Sequence, residues 1–251
     1  MKYALALILA ATAATAEAPD VAKVSVLPGY VTPQGTHMAG LRLTLLPGWK
    51  TYWRAPGDAG IPPQIAISGG NVDAVQFHWP TPQVFDQNGM RSVGYHDGLV
   101  LPVEVSGSGD LRLTGTLDIG VCRDICVPVQ LAFDAALTDG PRDPAIIGAL
   151  LDQPQPGGTA TCRVTTTAKG LRLDATLTLP TTGGSEALVI ETGDPMIYVS
   201  EPVTSRQGDK LTASADLVRG AGEAFALDRS GLRFTVLGRD RAIDVKGCAA
   251  G

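Results

Sequence analysis

Between Leu111 and Phe133 the sequence alternates apolar and polar residues in two halves, and one pairing of those halves puts both apolar rows on the same side. Leu111, Leu113, Leu117, Ile119 and Val121 share one parity, with Arg112, Thr114, Thr116 and Asp118 on the other, the period-2 pattern of a half-buried strand. Val127, Val129, Leu131 and Phe133 resume the apolar row beyond Arg123-Asp-Ile125. A three-residue hairpin loop at 123–125 sets Cys122 opposite Cys126 and Gly120 opposite Pro128; a slip of one residue would turn one row to the wrong face. Both cysteines then stand on the face away from the core. Pro128 has no N–H and cannot fill a hydrogen-bonded position of the ladder, and pairs two residues apart belong to the same class. The cysteines are therefore expected as a close, non-hydrogen-bonded pair with Cα atoms about 4.5 Å apart, within disulfide reach. The proline also marks an edge strand whose outer side is free to meet a partner.

The chain opens with Lys2, an apolar run from Tyr3 to Ala14, and small residues at Ala14-Thr-Ala16 and Ala16-Glu-Ala18. That is the pattern of a secretory signal peptide, assigned to residues 1–16. The run is shorter than the roughly 20 residues a membrane span needs, and no later stretch reaches that length, so no direct membrane span is expected. Without residues 1–16 the chain holds 19 basic and 25 acidic residues, a net charge of −6, which argues against nucleic acid or an anionic membrane as partner. All four cysteines, Cys122, Cys126, Cys162 and Cys248, lie in the exported part, where disulfides persist; an even count fits two bridges, in any of three pairings.

From Val21 to about Asp139 short alternating runs such as Leu41-Arg-Leu-Thr-Leu45 are cut by turn signals at Pro47-Gly48, Gly69-Gly70, Asn88-Gly89 and Asp97-Gly98. Such punctuation indicates a β-sandwich over residues 19–140. Asp143 followed by Pro144 and Ala145-Ile-Ile-Gly-Ala-Leu-Leu151 reads as an N-capped short helix, and Gln153-Pro-Gln-Pro-Gly-Gly158 as a linker, so residues 141–158 separate two domains. Alternation resumes over 159–251, with strand candidates at Leu171–Leu179, Ala187–Ile190, Leu211–Leu217, Ala224–Leu227 and Leu232–Leu237. The fold class is all-β: two tandem immunoglobulin-like β-sandwich domains joined by a short helix and linker. Cys162 and Cys248 lie near the two ends of the second domain, where first and last strands come together. A bridge there would stabilise by roughly 4 kcal/mol in the chain-entropy model, a structural disulfide.

Four ordered motifs carry a resemblance. They are Pro47-Gly-Trp-Lys-Thr-Tyr-Trp-Arg-Ala-Pro-Gly-Asp-Ala-Gly-Ile-Pro-Pro63, Trp79-Pro-x-Pro82, Gly94-Tyr-His-Asp-Gly-x-Val-Leu-Pro-Val103 and Val121-Cys-x-x-x-Cys-Val-Pro128. Over residues 22 to 137 the chain resembles the periplasmic N-terminal (alpha) domain of the DsbD/ScsB family of thiol:disulfide interchange proteins, in a stand-alone soluble form, and its two-domain layout is similar to the ScsB type. The resemblance implies a periplasmic protein whose Cys122 and Cys126 cycle between dithiol and disulfide and pass electrons to periplasmic thioredoxin-fold proteins. It implies that Cys126 forms the mixed disulfide with partners, and that a cap loop at about Val84–Met90, with Phe85 as shield, covers the pair. The membrane-embedded domain of full-length members is not in this sequence, so the electron donor is expected on a separate chain.

Beside the cysteines, Asp124 is a candidate proton acceptor, against the plainer role of a turn residue. Tyr52 and Tyr95 are candidates to frame the pair. His37, His78 and His96 have no ligand spacing, and no metal or organic cofactor is expected, although His37, Met38, Met90 and the two thiols are soft enough donors for Cu(I). The other reading of the chain is a non-catalytic immunoglobulin-like binding module, a copper-handling or chaperone-like adaptor with structural disulfides.

Overall fold

The computed structural model describes residues 21–87 and 89–251; the leader expected at residues 1–16 lies outside the described residues. Two sandwich-like bodies are separated by a short helix. In the first, the strands in chain order are β1 (Ala22–Val31), β2 (His37–Leu45), β3 (Lys50–Tyr52), β4 (Gln64–Ile67), β5 (Val72–Phe77), β6 (Gln83–Gln87), β7 (Met90–His96), β8 (Gly98–Gly107), β9 (Arg112–Cys122) and β10 (Cys126–Ala136). They form one sheet of order β1-β2-β8-β5 and a second of order β10-β9-β3-β7-β6, with β4 also paired to β9.

The β9–β10 hairpin has the register required by its two apolar rows, with Cys122 opposite Cys126 and Pro128 opposite Gly120. Leu113, Leu117, Ile119, Val121 and Phe133 of that hairpin meet Leu41, Leu43, Leu101, Val103 and Val105 of the facing sheet in the core. Each large side chain buried there contributes about 1.5–3 kcal/mol of apolar transfer, which is what fixes the hairpin's inner face. β10 is the edge strand, where a proline leaves no ladder bond unmade.

The helix α1 spans Pro144–Leu151; the Asp143 carboxylate accepts from the Ala145 N–H at 2.8 Å, and Pro144 opens the first turn, where its missing N–H costs nothing. Ile146 packs on Tyr30 and Met38, so the helix docks against the first body. The proline-rich segment after it departs from a free linker: Gln155–Pro156 is a short strand, β11, running parallel to the strand that holds Ile243 and Asp244. Pro156 has no N–H to donate, and the neighbouring Gly157 N–H bonds to the Asp244 carbonyl at 3.1 Å instead.

The second body is built from β11, β12 (Thr159–Thr167), β13 (Gly170–Thr178), β14 (Ala187–Glu191), β15 (Ile197–Val199), β16 (Val203–Gln207), β17 (Lys210–Arg219), β18 (Arg233–Leu237), β19 (Ala242–Lys246) and β20 (Ala249–Ala250). The sheets run β11-β19-β18-β14 and β15-β17-β13-β12-β20, with β16 also on β17. Ala224–Leu227, expected as a strand, is irregular backbone. Its alternation arises because Phe225 and Leu227 pack onto the core from a loop that has no ladder partner.

The bodies meet in a cluster of Trp53, Val93 and Tyr95 with Ala187, Leu237 and Ala242. Arg54 stacks on Trp53 with its guanidinium 4.0 Å from the ring and holds both Glu191 oxygens at 2.9 and 3.0 Å, and Arg91 pairs with Glu201.

Candidate active site: a cross-strand cysteine pair

Cys122 ends β9 and Cys126 begins β10; they are joined as a disulfide with Cα atoms 4.1 Å apart, as close as a non-hydrogen-bonded cross-strand pair requires. The loop between them is closed by the Arg123 N–H donating to the Ile125 carbonyl at 3.0 Å. Parity places both cysteines off the core face, yet their exposures differ. Cys122 is 0% exposed, whereas Cys126 is open to solvent beside Ile125, which is 65% exposed.

The roof over Cys122 is Tyr52 together with the segment after it. A Cβ placed on Gly120 would lie 3.0 Å from Ile61 Cδ1 and 3.2 Å from Tyr52 Cε2, so glycine at 120 is what lets the roof close onto β9. The Tyr52 hydroxyl lies 3.0 Å from Cys122 Sγ, 3.7 Å from Cys126 Sγ and 3.3 Å from the Ala59 carbonyl oxygen. Bonded sulfurs carry no proton, so in this state the hydroxyl is the donor. Burial pushes the Tyr52 phenol above its ordinary value, which keeps that proton in place at neutral pH.

Ladder register assembles the rest. Cys122 is opposite Lys50 on β3, Lys50 is opposite His96 on β7, and Phe85 on β6 is opposite Ser92 of β7. Residues directly opposite or two apart share a sheet face, so Cys122, Lys50, Tyr52, His96, Ser92 and Phe85 belong to one face. Phe85 sits edge-on to His96 with ring centroids 4.9 Å apart, and the Lys50 ammonium lies 4.8 Å from the Phe85 ring centre. Lys50 is buried, its Nζ 3.5 Å from the buried Ser92 hydroxyl, and burial pulls its ammonium below the ordinary lysine value.

Of the residues singled out in the sequence, Tyr52 touches both sulfurs, and Phe85 lies on the same face, in a strand rather than a loop. Tyr95 is opposite Thr51 and so on the other face of the sheet; its hydroxyl donates to the Pro80 carbonyl at 2.8 Å, and the ring belongs to the cluster between the bodies. Asp124 is exposed and pairs with Arg123 at 3.0 Å. Lys50, Ser92 and the roof residue Ile61 were not singled out. Lys50 and Tyr52 share parity within one short segment, but only the β9–β3–β7–β6 order, set by long-range pairing, brings that parity to the cysteines.

Cys162 of β12 and Cys248, just ahead of β20, form the second bridge, with Cα atoms 5.8 Å apart and Cys162 in the core of the second body. His37 is buried, with its ring Nε2 donating to the Pro28 carbonyl. Among the described residues no cluster of His, Cys, Asp or Glu is arranged to hold a metal ion.

Residues 16–137 match the family model of the N-terminal domain of thiol:disulfide interchange protein DsbD. This part of the chain belongs to that family. The DsbD N-terminal match takes in both members of the Cys122–Cys126 pair, the Tyr52 roof and the Lys50–Phe85 cluster, and stops short of the second body. The chain is also similar in fold to the crystal structure of the N-terminal periplasmic domain of ScsB from Proteus mirabilis, with 24% identity, a TM-score of 0.66, and 92% of each chain covered. That likeness takes in both bodies. No curated protein matches the sequence. Among the described residues no helix is long and apolar enough to cross a membrane.

Proposed function

We propose that this chain is a periplasmic thiol:disulfide oxidoreductase that passes reducing equivalents through Cys122 and Cys126 to thioredoxin-fold partner proteins, drawing them from a membrane-embedded donor on a separate chain. The observation that carries the reading is the unequal exposure of the pair. Cys126 is open on an edge hairpin, where a partner's disulfide can approach it, and Cys122 lies beneath Tyr52, where only Cys126 can. In the reduced protein the Cys126 thiolate attacks a partner disulfide, forming a mixed disulfide and expelling one partner thiolate. The Cys122 thiolate then attacks Cys126 Sγ, closes the Cys122–Cys126 bond and expels the second partner thiolate. Two electrons pass to the partner, and the protons of Cys122 and Cys126 end on its two thiols.

The domain limits that suit this role are 19–140 for the redox sandwich, 141–158 for the connection and 159–251 for the second sandwich, with Cys162–Cys248 structural. The test is trapping. Reduced Cys122→Ser protein, offered a thioredoxin-fold protein in its disulfide form, should accumulate a mixed disulfide through Cys126, and Cys126→Ser protein should not. Equal trapping by the two variants would contradict the assigned roles, and no exchange by the parent would leave the binding-module reading in its place.

A further inference from the structure

A buried lysine in a β-sandwich is costly unless a negative charge meets it. Lys50 is 5% exposed, and among the described residues no carboxylate lies within 4.0 Å of its ammonium. What it has instead is a long 3.5 Å contact to the Ser92 hydroxyl and the face of Phe85. Neither is a counter-ion. The residue directly across the ladder is Cys122, a neutral half-cystine in this state. Side chains so placed have Cβ atoms about 4.5–5.5 Å apart, and the flexible four-carbon stem of lysine lets its ammonium turn from Phe85 to a sulfur at that position.

We propose that Lys50 is the counter-ion of the Cys122 thiolate, a partner that exists only when the disulfide is open. The inference rests on the oxidoreductase reading and assigns a further residue to it. Cys122 must be a thiolate to attack Cys126 Sγ in the mixed disulfide, and full burial by itself raises a thiol's pKa. A neighbouring ammonium reverses that. The step it serves is balanced within the exchange already written: Cys122 gives up its proton, which ends on the partner, the Cys122–Cys126 bond forms, and the bond from Cys126 to the partner breaks. The other group touching this sulfur is the Tyr52 hydroxyl; His96 shares the face from β7, opposite Lys50 and edge-on to Phe85, and in the hairpin loop Arg123 and Asp124 pair with each other.

The test reads Cys122 alone, in full-length Cys126→Ser protein with Cys162–Cys248 left oxidised, by thiolate absorbance against pH. Replacing Lys50 by Met, which keeps the stem and removes the charge, should raise the Cys122 pKa by about one unit or more, as loss of an opposite charge at close range does. Lys50→Arg, which keeps the charge, should stay near the parent. An unchanged pKa in Lys50→Met, or an Arg variant that shifts as the Met variant does, would overturn the assignment. Should Lys50→Met not fold, the Lys50-bearing protein decides: a Cys122 thiol titrating at or below the ordinary value of about 8.5 supports the counter-ion, and one well above it, as an uncompensated buried thiol behaves, overturns it. A parent chain that traps no partner would defeat the oxidoreductase reading without moving this titration, so the two ideas fail separately.

Discussion

Cys122–Cys126 closes the tip of a hairpin that its backbone ladder already holds, whereas Cys162–Cys248 ties β12, near the start of the second body, to the segment that ends it, 86 residues on. The long bridge removes much freedom from the unfolded chain and keeps Cys162 in the core. The short bridge restrains little and leaves one sulfur in solvent. One chain thus holds a bond suited to stability and a bond suited to exchange, and what separates them is loop length and exposure rather than any difference in the cysteines themselves.

The largest effect expected from breaking this contrast is on folding. Replacing Cys162 and Cys248 together by Ser should lower stability by about 4–5 kcal/mol, against about 2 kcal/mol or less for the Cys122/Cys126 double replacement, by denaturant unfolding. Equal losses would remove the distinction. Next comes the roof. Gly120→Val should displace Ile61 and Tyr52 from β9, at a cost of about 1–3 kcal/mol, and raise the alkylation rate of reduced Cys122 toward that of Cys126. Tyr52→Phe keeps the packing and removes one hydrogen bond, so a stability loss of about 0.5–1.5 kcal/mol is expected, with a higher Cys122 pKa.

The smallest effect is on acid stability and concerns one carboxyl of the second body. Burial pushes the Glu186 carboxyl up, but the two-pronged Arg206 pair and the Thr182 N–H and hydroxyl outweigh it, and the net position is below the ordinary glutamate value. Folded protein therefore binds that proton more weakly than the unfolded chain does. The stability it lends is present above about pH 4.3 and is lost as pH falls through the folded value. Glu186→Gln should flatten that acid limb, read by thermal unfolding between roughly pH 5 and pH 3, with no change in Cys122–Cys126 exchange.

How far the sequence carries depends on the range of the interactions involved. The β9–β10 register was legible because it is local: two alternating rows, a three-residue loop and one proline leave a single solution. The Asp143–Pro144 helix start was legible for the same reason. The burial of Cys122 was not, because parity assigns a face and says nothing of what lies over it; Tyr52 and Ile61 reach Gly120 from a different part of the chain. Lys50 was missed since a lysine in a strand reads as a solvated position until the order of β9, β3, β7 and β6 is known. Tyr95, one residue from the cysteine face in register, shows the converse: the motif that holds it is close to the pair in space, and its side chain points to the other side of the sheet.

The most direct measurement is equilibration of the parent protein with thiol buffers of graded potential, scoring both bridges by mass spectrometry after alkylation. Cys122–Cys126 should open at a potential between about −180 and −270 mV, with Cys162–Cys248 still closed below about −300 mV. A Cys122–Cys126 bond that also stays closed below about −300 mV would make both bridges structural and contradict the exchange role given to the first.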